Sequence, residues 1–179
     1  MLWCNMNSRR ITIISILTGM ALVISLFESL MPPILPMLPF AKIGLSQIII
    51  LIALVLLGTR DALIIFAIRT IFMGIFIGNI SILMYAIPAG LVSIAFMWVT
   101  LTSGKLSIIA ISACSASLHN LVQLIMASFI MESGAVFAYL PYLMTFGAIA
   151  GSITGFISYL VITKLPISLI TSLEGNKYK

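Results

Sequence analysis

Charge is what this sequence has least of. Only 7% of its 179 residues are Asp, Glu, Lys or Arg, against about 25% in a water-soluble domain, and 62% are hydrophobic. Such a chain resides in a bilayer. Asp61 is the one aspartate, so the paired, aspartate-rich sites that hold Mg²⁺ against a diphosphate are missing. The two cysteines, Cys4 in a polar leader and Cys114 in an apolar run, imply no disulfide framework. His119 is the one histidine and has no Cys or second His at ligand spacing, so a metal cage is not expected. No G-x-x-x-x-G-K-S/T loop is present, which excludes ATP hydrolysis of the P-loop kind. Nor does any Ser, Cys or Thr have an obvious second base to activate it. These absences predict a chain that is not an enzyme and holds no metal and no cofactor. The net charge of +5 is scattered singly or in pairs, without the dense stripe that phosphate neutralisation needs, and this argues against nucleic acid.

What the sequence does have is apolar runs. At roughly 20 apolar residues per crossing, they predict six membrane helices over residues 11–31, 43–57, 62–77, 80–101, 106–131 and 135–163. Helices are required because lipid cannot satisfy an open backbone, and the runs are too uniformly apolar for barrel strands. The expected fold is an all-α polytopic bundle of six transmembrane helices. It divides into a leader at 1–10, a membrane domain at 11–163 and a tail at 164–179. Arg9 and Arg10 before an apolar run imitate a signal peptide, but that run continues to Phe27 with no small-x-small cleavage site, so it reads as a retained span. With the N-terminus in the cytoplasm, Arg9, Arg10, Arg60, Lys105, Lys164, Lys177 and Lys179 lie inside and Lys42 outside, which favours both termini in the cytoplasm.

Several features within the apolar runs call for partners. Between the first two spans, Pro32, Pro33, Pro36 and Pro39 stiffen an apolar outer loop, either as a rigid connector or as a lid over an outward pocket. Ionisable groups in lipid cost several kcal/mol unless paired or placed in a cavity. Glu28, Arg69 and His119 are such groups. Asn120 and Gln123 accompany His119, with His119 and Gln123 one helical turn apart on one face; Gln47 and Lys42 can complete a lining. The candidate substrate-binding set is therefore Glu28, Lys42, Gln47, Arg69, His119, Asn120 and Gln123. The alternatives are a buried Glu28–Arg69 ion pair and polar glue between helices. Gly74 and Gly78, then Gly147, Gly151 and Gly155, recur every four residues and permit close helix packing. In the first span Ser15, Gly19, Ala21 and Ser25 show related small-residue spacing, suggesting a helix that docks on a partner protein.

In order along the chain stand Glu28 to Pro39, Lys42-Ile43-Gly44-Leu45, Asp61-Ala62-Leu63, Arg69 followed by Gly74 and Gly78, Tyr85 to Gly90 with Ser93 and Met97, His119-Asn120-x-x-Gln123, and a glycine-rich last span. This set resembles the bacterial Gx transporter family, whose members are often labelled heptaprenyl diphosphate synthase component I. They are similar to the substrate-binding S components of energy-coupling factor (ECF) transporters. The resemblance covers residues 11–163 and departs from the family pattern at Ser46-Gln47.

The resemblance implies an S-component-like fold in the cytoplasmic membrane of a bacterium. It also implies an outer pocket capped by the first loop, and docking of the first span on an ECF coupling subunit driven by two ATPases. The function expected on this basis is substrate binding for uptake of a small, anionic or redox-active organic molecule. The alternative is a non-catalytic membrane subunit of polyprenyl (heptaprenyl) diphosphate or quinone synthesis, and a third reading is secondary transport by a homodimer.

Overall fold

The computed structural model describes residues 8–30, 44–78 and 81–164. Among them the chain folds as α1 (Ser8–Leu30), α2 (Gln47–Leu56), α3 (Thr59–Ile77), α4 (Ser81–Ser103), α5 (Ile108–Ile130), a 3-10 turn (Gly134–Tyr139) and α6 (Leu140–Lys164). Helix ends follow local chemistry. Ser107 caps α5 by accepting the Ala110 N–H at 3.2 Å, the bond that Ser supplies to an otherwise orphaned donor. Gly78 closes α3 at φ 68°, in the left-handed conformation common just past a helix end. Lys42, the proline-rich stretch 32–39, Cys4 and the tail cations Lys177 and Lys179 lie outside the described residues.

The all-helical expectation holds in these residues, but the six crossings do not. Among the described residues four segments are long and apolar enough to cross a membrane: Arg10–Leu30, Leu83–Ser103, Ile108–Ile130 and Gly134–Lys164. The chain is thus a multi-pass membrane protein. The two exceptions have physical reasons. α2 has 10 residues, or about 15 Å at 1.5 Å per residue, half of a hydrocarbon core of about 30 Å. α3 has 19 residues but carries Arg60, Asp61 and Arg69. An apolar run shows only that a helix is out of water; whether it faces lipid or the interior of the bundle depends on its neighbours. The long last run also resolves into a 3-10 turn followed by α6.

α2 is the plug of the bundle. It packs against α1, α3 and α6, and Ile49, Ile50, Leu51, Ile52, Ala53 and Leu54 are all buried, as expected of a helix apolar on every side. Ala62, Ile65, Phe66, Ile94, Met97 and Ile111 close around it. α5 and α6 form the most extensive helix pair, because three glycines of α6 face α5. A Cβ at Gly151 would lie 2.7 Å from both Ala113 Cα and the Ser112 carbonyl oxygen, and one at Gly155 would lie 2.9 Å from Ile109 Cα. Hydroxyl contacts join the helices inside the bundle: Ser93 Oγ with Ser115 Oγ at 2.7 Å and Ser112 Oγ with Thr154 Oγ1 at 3.1 Å. The outward faces remain apolar, with Val23, Phe27, Ile75, Phe76, Trp98, Ile153 and Phe156 exposed. A contiguous apolar surface of this kind is what lipid covers.

The connectivity gathers the described terminal cations at one end. α1 and α3 begin there, as the Arg10–Asp61 ion pair at 2.7 Å shows. α4 ends there, α5 begins there and α6 returns to it, so Arg10, Arg60, Lys105 and Lys164 share that end.

Candidate functional site

The short reach of α2 leaves space above its N-terminus, and the longer helices enclose it. The result is a cavity of about 330 Å³ bounded by α1, α3, α4, α5, α6 and the Gly44–Gln47 entry to α2, within the size range of small-molecule sites. Its walls are mostly apolar, with Phe66, Met73, Leu83, Leu143 and Phe146 among them. Its polar groups come from four elements and meet where α2 begins.

Six of the seven expected binding residues line this one cavity: Glu28, Gln47, Arg69, His119, Asn120 and Gln123. The seventh, Lys42, lies outside the described residues. Arg69 and Glu28 do not take each other as hydrogen-bond partners. Arg69 Nε donates to Ser25 Oγ at 2.7 Å. The Glu28 carboxylate accepts the backbone N–H of Gly44, just before α2, where the dipole of that helix favours negative charge. Gly44 has φ 78°, a left-handed conformation that suits glycine and turns the chain into α2 beneath the carboxylate. Gln47 Nε2 donates to Ser93 Oγ at 3.1 Å and lies 3.5 Å from His119 Nδ1. Asn120 instead acts as a tie between helices, its Nδ2 donating to the Leu143 carbonyl at 2.9 Å.

Two cavity residues escape a sequence reading. Ser25 carries Arg69 rather than a partner protein. Ser46, placed before an apolar run, has the sequence position of an ordinary helix cap. Its backbone, however, is already helical and its side chain caps nothing; its Oγ is fully buried without a hydrogen-bond partner. The four residues expected to form a docking stripe also divide between two environments. Ser15 and Gly19 are exposed, whereas Ala21 and Ser25 are buried in the bundle.

The site offers no array for metal-assisted diphosphate chemistry: among the described residues no three of His, Cys, Asp and Glu stand together as metal ligands. Asp61 is buried at the far end of α3 and held by Arg10.

A family model, heptaprenyl diphosphate synthase component I, matches residues 17–161. No curated protein and no solved structure matches the chain. The match corrects the reading drawn from the Gx transporter resemblance. It assigns the chain to a synthase component, not to an ECF S component, and so removes the expected uptake function and the expected coupling subunit and ATPases. The expected six-span, S-component-like fold falls with it, since among the described residues four helices qualify as spans. The transporter reading came with the resemblance to S components and not from the residues themselves, none of which marks passage across the membrane. As one component of a synthase the chain is not an enzyme in its own right. With most of its length matched, the chain belongs to the heptaprenyl diphosphate synthase component I family.

Proposed function

We propose that this chain is the non-catalytic membrane subunit of a heptaprenyl diphosphate synthase, in the cytoplasmic membrane of a bacterium, and that it seats the catalytic component at the bilayer surface. Beyond the family itself, the observation that carries this reading is the gathering of Arg10, Arg60, Lys105 and Lys164 at one end of the bundle. Positive charge marks the cytoplasmic end of a membrane helix bundle, and a basic rim attracts both an acidic protein surface and a diphosphate product. A heptaprenyl chain grows by five-carbon units, and each added CH₂ favours an apolar phase by about 0.8 kcal/mol. A synthase held at the membrane releases that chain directly into lipid.

On this reading residues 11–163 form the membrane domain, flanked by cytoplasmic segments at 1–10 and 164–179. The cavity is the binding site, with Glu28, Gln47, Arg69, His119 and Gln123 as its polar lining. Co-purification tests the reading: the full chain should retain a prenyl synthase catalytic component from the same cell. Charge reversal at Arg60, Lys105 and Lys164 together should release that component while the membrane protein stays folded. Failure to retain any catalytic component, with synthase activity and product chain length unchanged by the presence of this chain, would overturn it.

A further inference from the structure

Access to the cavity depends on which of its walls also face outward. Among the described residues that line it, three are exposed: Phe146 at 47%, Ile149 at 56% and Ile153 at 54%. All three belong to α6, and at spacings of three and four residues they share one face of it. Gly151 and Gly155 turn another face of the same helix against α5, so the exposed rim looks away from α5. On that side α2 separates α6 from α1, packing on both, but its first residue is Gln47. Beyond Gln47 the cavity reaches the flank of the bundle between α6 and α1, which contributes Ser25 and Glu28.

Depth decides what lies outside this mouth. α6 begins at Leu140, so Phe146 and Ile153 stand about 9 and 20 Å along it at 1.5 Å per residue, inside the span Gly134–Lys164 and within a hydrocarbon layer about 30 Å thick. Lipid chains, not water, cover the outside of a bundle at that depth. A rim of three large apolar side chains suits those surroundings.

We propose that the cavity opens sideways into the bilayer between α1 and α6 and takes its occupant from there: a molecule dissolved in the membrane, whose apolar chain passes the rim of Phe146, Ile149 and Ile153. This rests on the reading of the cavity as a binding site and is independent of the catalytic partner. The buried apolar walls, Phe66 and Met73 among them, receive the chain, and Gln47, Arg69 and Gln123 meet the polar end. A solute in water would have to cross hydrocarbon to use this mouth, whereas partition already concentrates a chain-bearing molecule beside it.

Tryptophan quenching by brominated lipid tests the mouth. The two tryptophans, Trp3 and Trp98, are replaced by Phe, and the full chain carries one new tryptophan in bilayers of dioleoylphosphatidylcholine or its chain-brominated form. Met73→Trp places the reporter inside, at a residue 7% exposed beside space for the larger ring. Phe156→Trp, exposed on α6 and outside the cavity, is the lipid-facing reference. Brominated chains should quench Met73→Trp nearly as strongly as Phe156→Trp, and iodide in the water should quench it little. Ile149→Phe with Ile153→Phe, which narrows the mouth, should reduce lipid quenching of Met73→Trp several-fold and leave Phe156→Trp unchanged. If Met73→Trp does not give monodisperse protein, Ala86→Trp on α4, which also lines the cavity, replaces it. Quenching of the inner tryptophan by iodide and not by lipid, by neither, or by lipid undiminished when the mouth is narrowed would each overturn the proposal.

Unbrominated amphiphiles, added at a few mole per cent, then test the occupant. Geranylgeraniol and geranylgeranyl diphosphate supply a prenyl chain, oleyl alcohol and oleic acid a straight one, and each pair spans an uncharged and a charged head. Relief of quenching by a member of either pair supports the proposal, and the pair that relieves it identifies the chain. Relief by none overturns the proposed occupant. Retention of the catalytic component is scored on the same preparation: a retained partner without lipid quenching rejects this inference alone, and lipid quenching with relief but no partner rejects the synthase reading alone.

Discussion

Arg69 on α3 donates from Nε to Ser25 Oγ on α1 at 2.7 Å, so a guanidinium inside the membrane bundle is held by a hydroxyl and not by the nearby carboxylate. Ser25 is nearly fully buried, so its removal leaves the Arg69 Nε–H without its hydrogen-bond acceptor. Ser25→Ala should therefore lower thermal stability in detergent by about 1–3 kcal/mol. Arg69→Met combined with Ser25→Ala should be less destabilising than the sum of the two single changes, because both remove the same bond. Additive effects in that double-mutant cycle would show that the bond carries no coupling.

The Arg10–Asp61 ion pair at 2.7 Å joins the starts of α1 and α3, with the Asp61 side chain 3% exposed. Asp61→Asn retains the shape but loses the charge, and is expected to be destabilising by about 1.5–3 kcal/mol, the range for hydrogen bonds to charged groups. Arg10→Gln should have the larger effect, because it leaves the Asp61 carboxylate, 3% exposed, buried without its charge partner, whereas after Asp61→Asn water reaches the part-exposed Arg10. Equal melting temperatures for both variants and the parent would refute this.

Glycine positions differ sharply in what they tolerate. Gly151→Ala places a methyl 2.7 Å from α5 backbone atoms, so α6 must move away and about 1–3 kcal/mol should be lost. Gly19→Ala meets nothing within 4 Å and should leave stability unchanged or raised by about 0.5–1 kcal/mol through helix propensity. Thermal melts of the two variants side by side provide the comparison.

Orientation is read by single-cysteine labelling in a background with Cys4 and Cys114 replaced by Ser. A cysteine at Gly134 should react with an impermeant maleimide from outside, and cysteines at Arg60 or Gly104 only after the membrane is opened. Outside labelling at Gly104 would reverse the orientation and move the proposed docking rim to the wrong side.

How much was legible in the sequence differs by level. The helices read well, α4 over 80–101 against Ser81–Ser103 and α5 over 106–131 against Ile108–Ile130, because the apolar runs stop at turn residues that act locally. The polar lining was also accessible: Glu28, Gln47, Arg69, His119, Asn120 and Gln123 stand out in apolar surroundings, and all six reach one cavity. Ser46 did not stand out, since a serine before a helix is an ordinary cap and only its orphaned Oγ distinguishes it.

The sequence by itself determined that the chain is helical and membrane-embedded, because transfer of an apolar run out of water depends on its own composition. Only the tertiary structure decided that α2 is a half-length plug rather than a span, that Arg69 pairs with Ser25, and that a cavity opens where α2 begins. Those outcomes depend on which distant helices pack against each face, and α1, α3 and α6 enclose α2 through contacts that no run of neighbouring residues encodes.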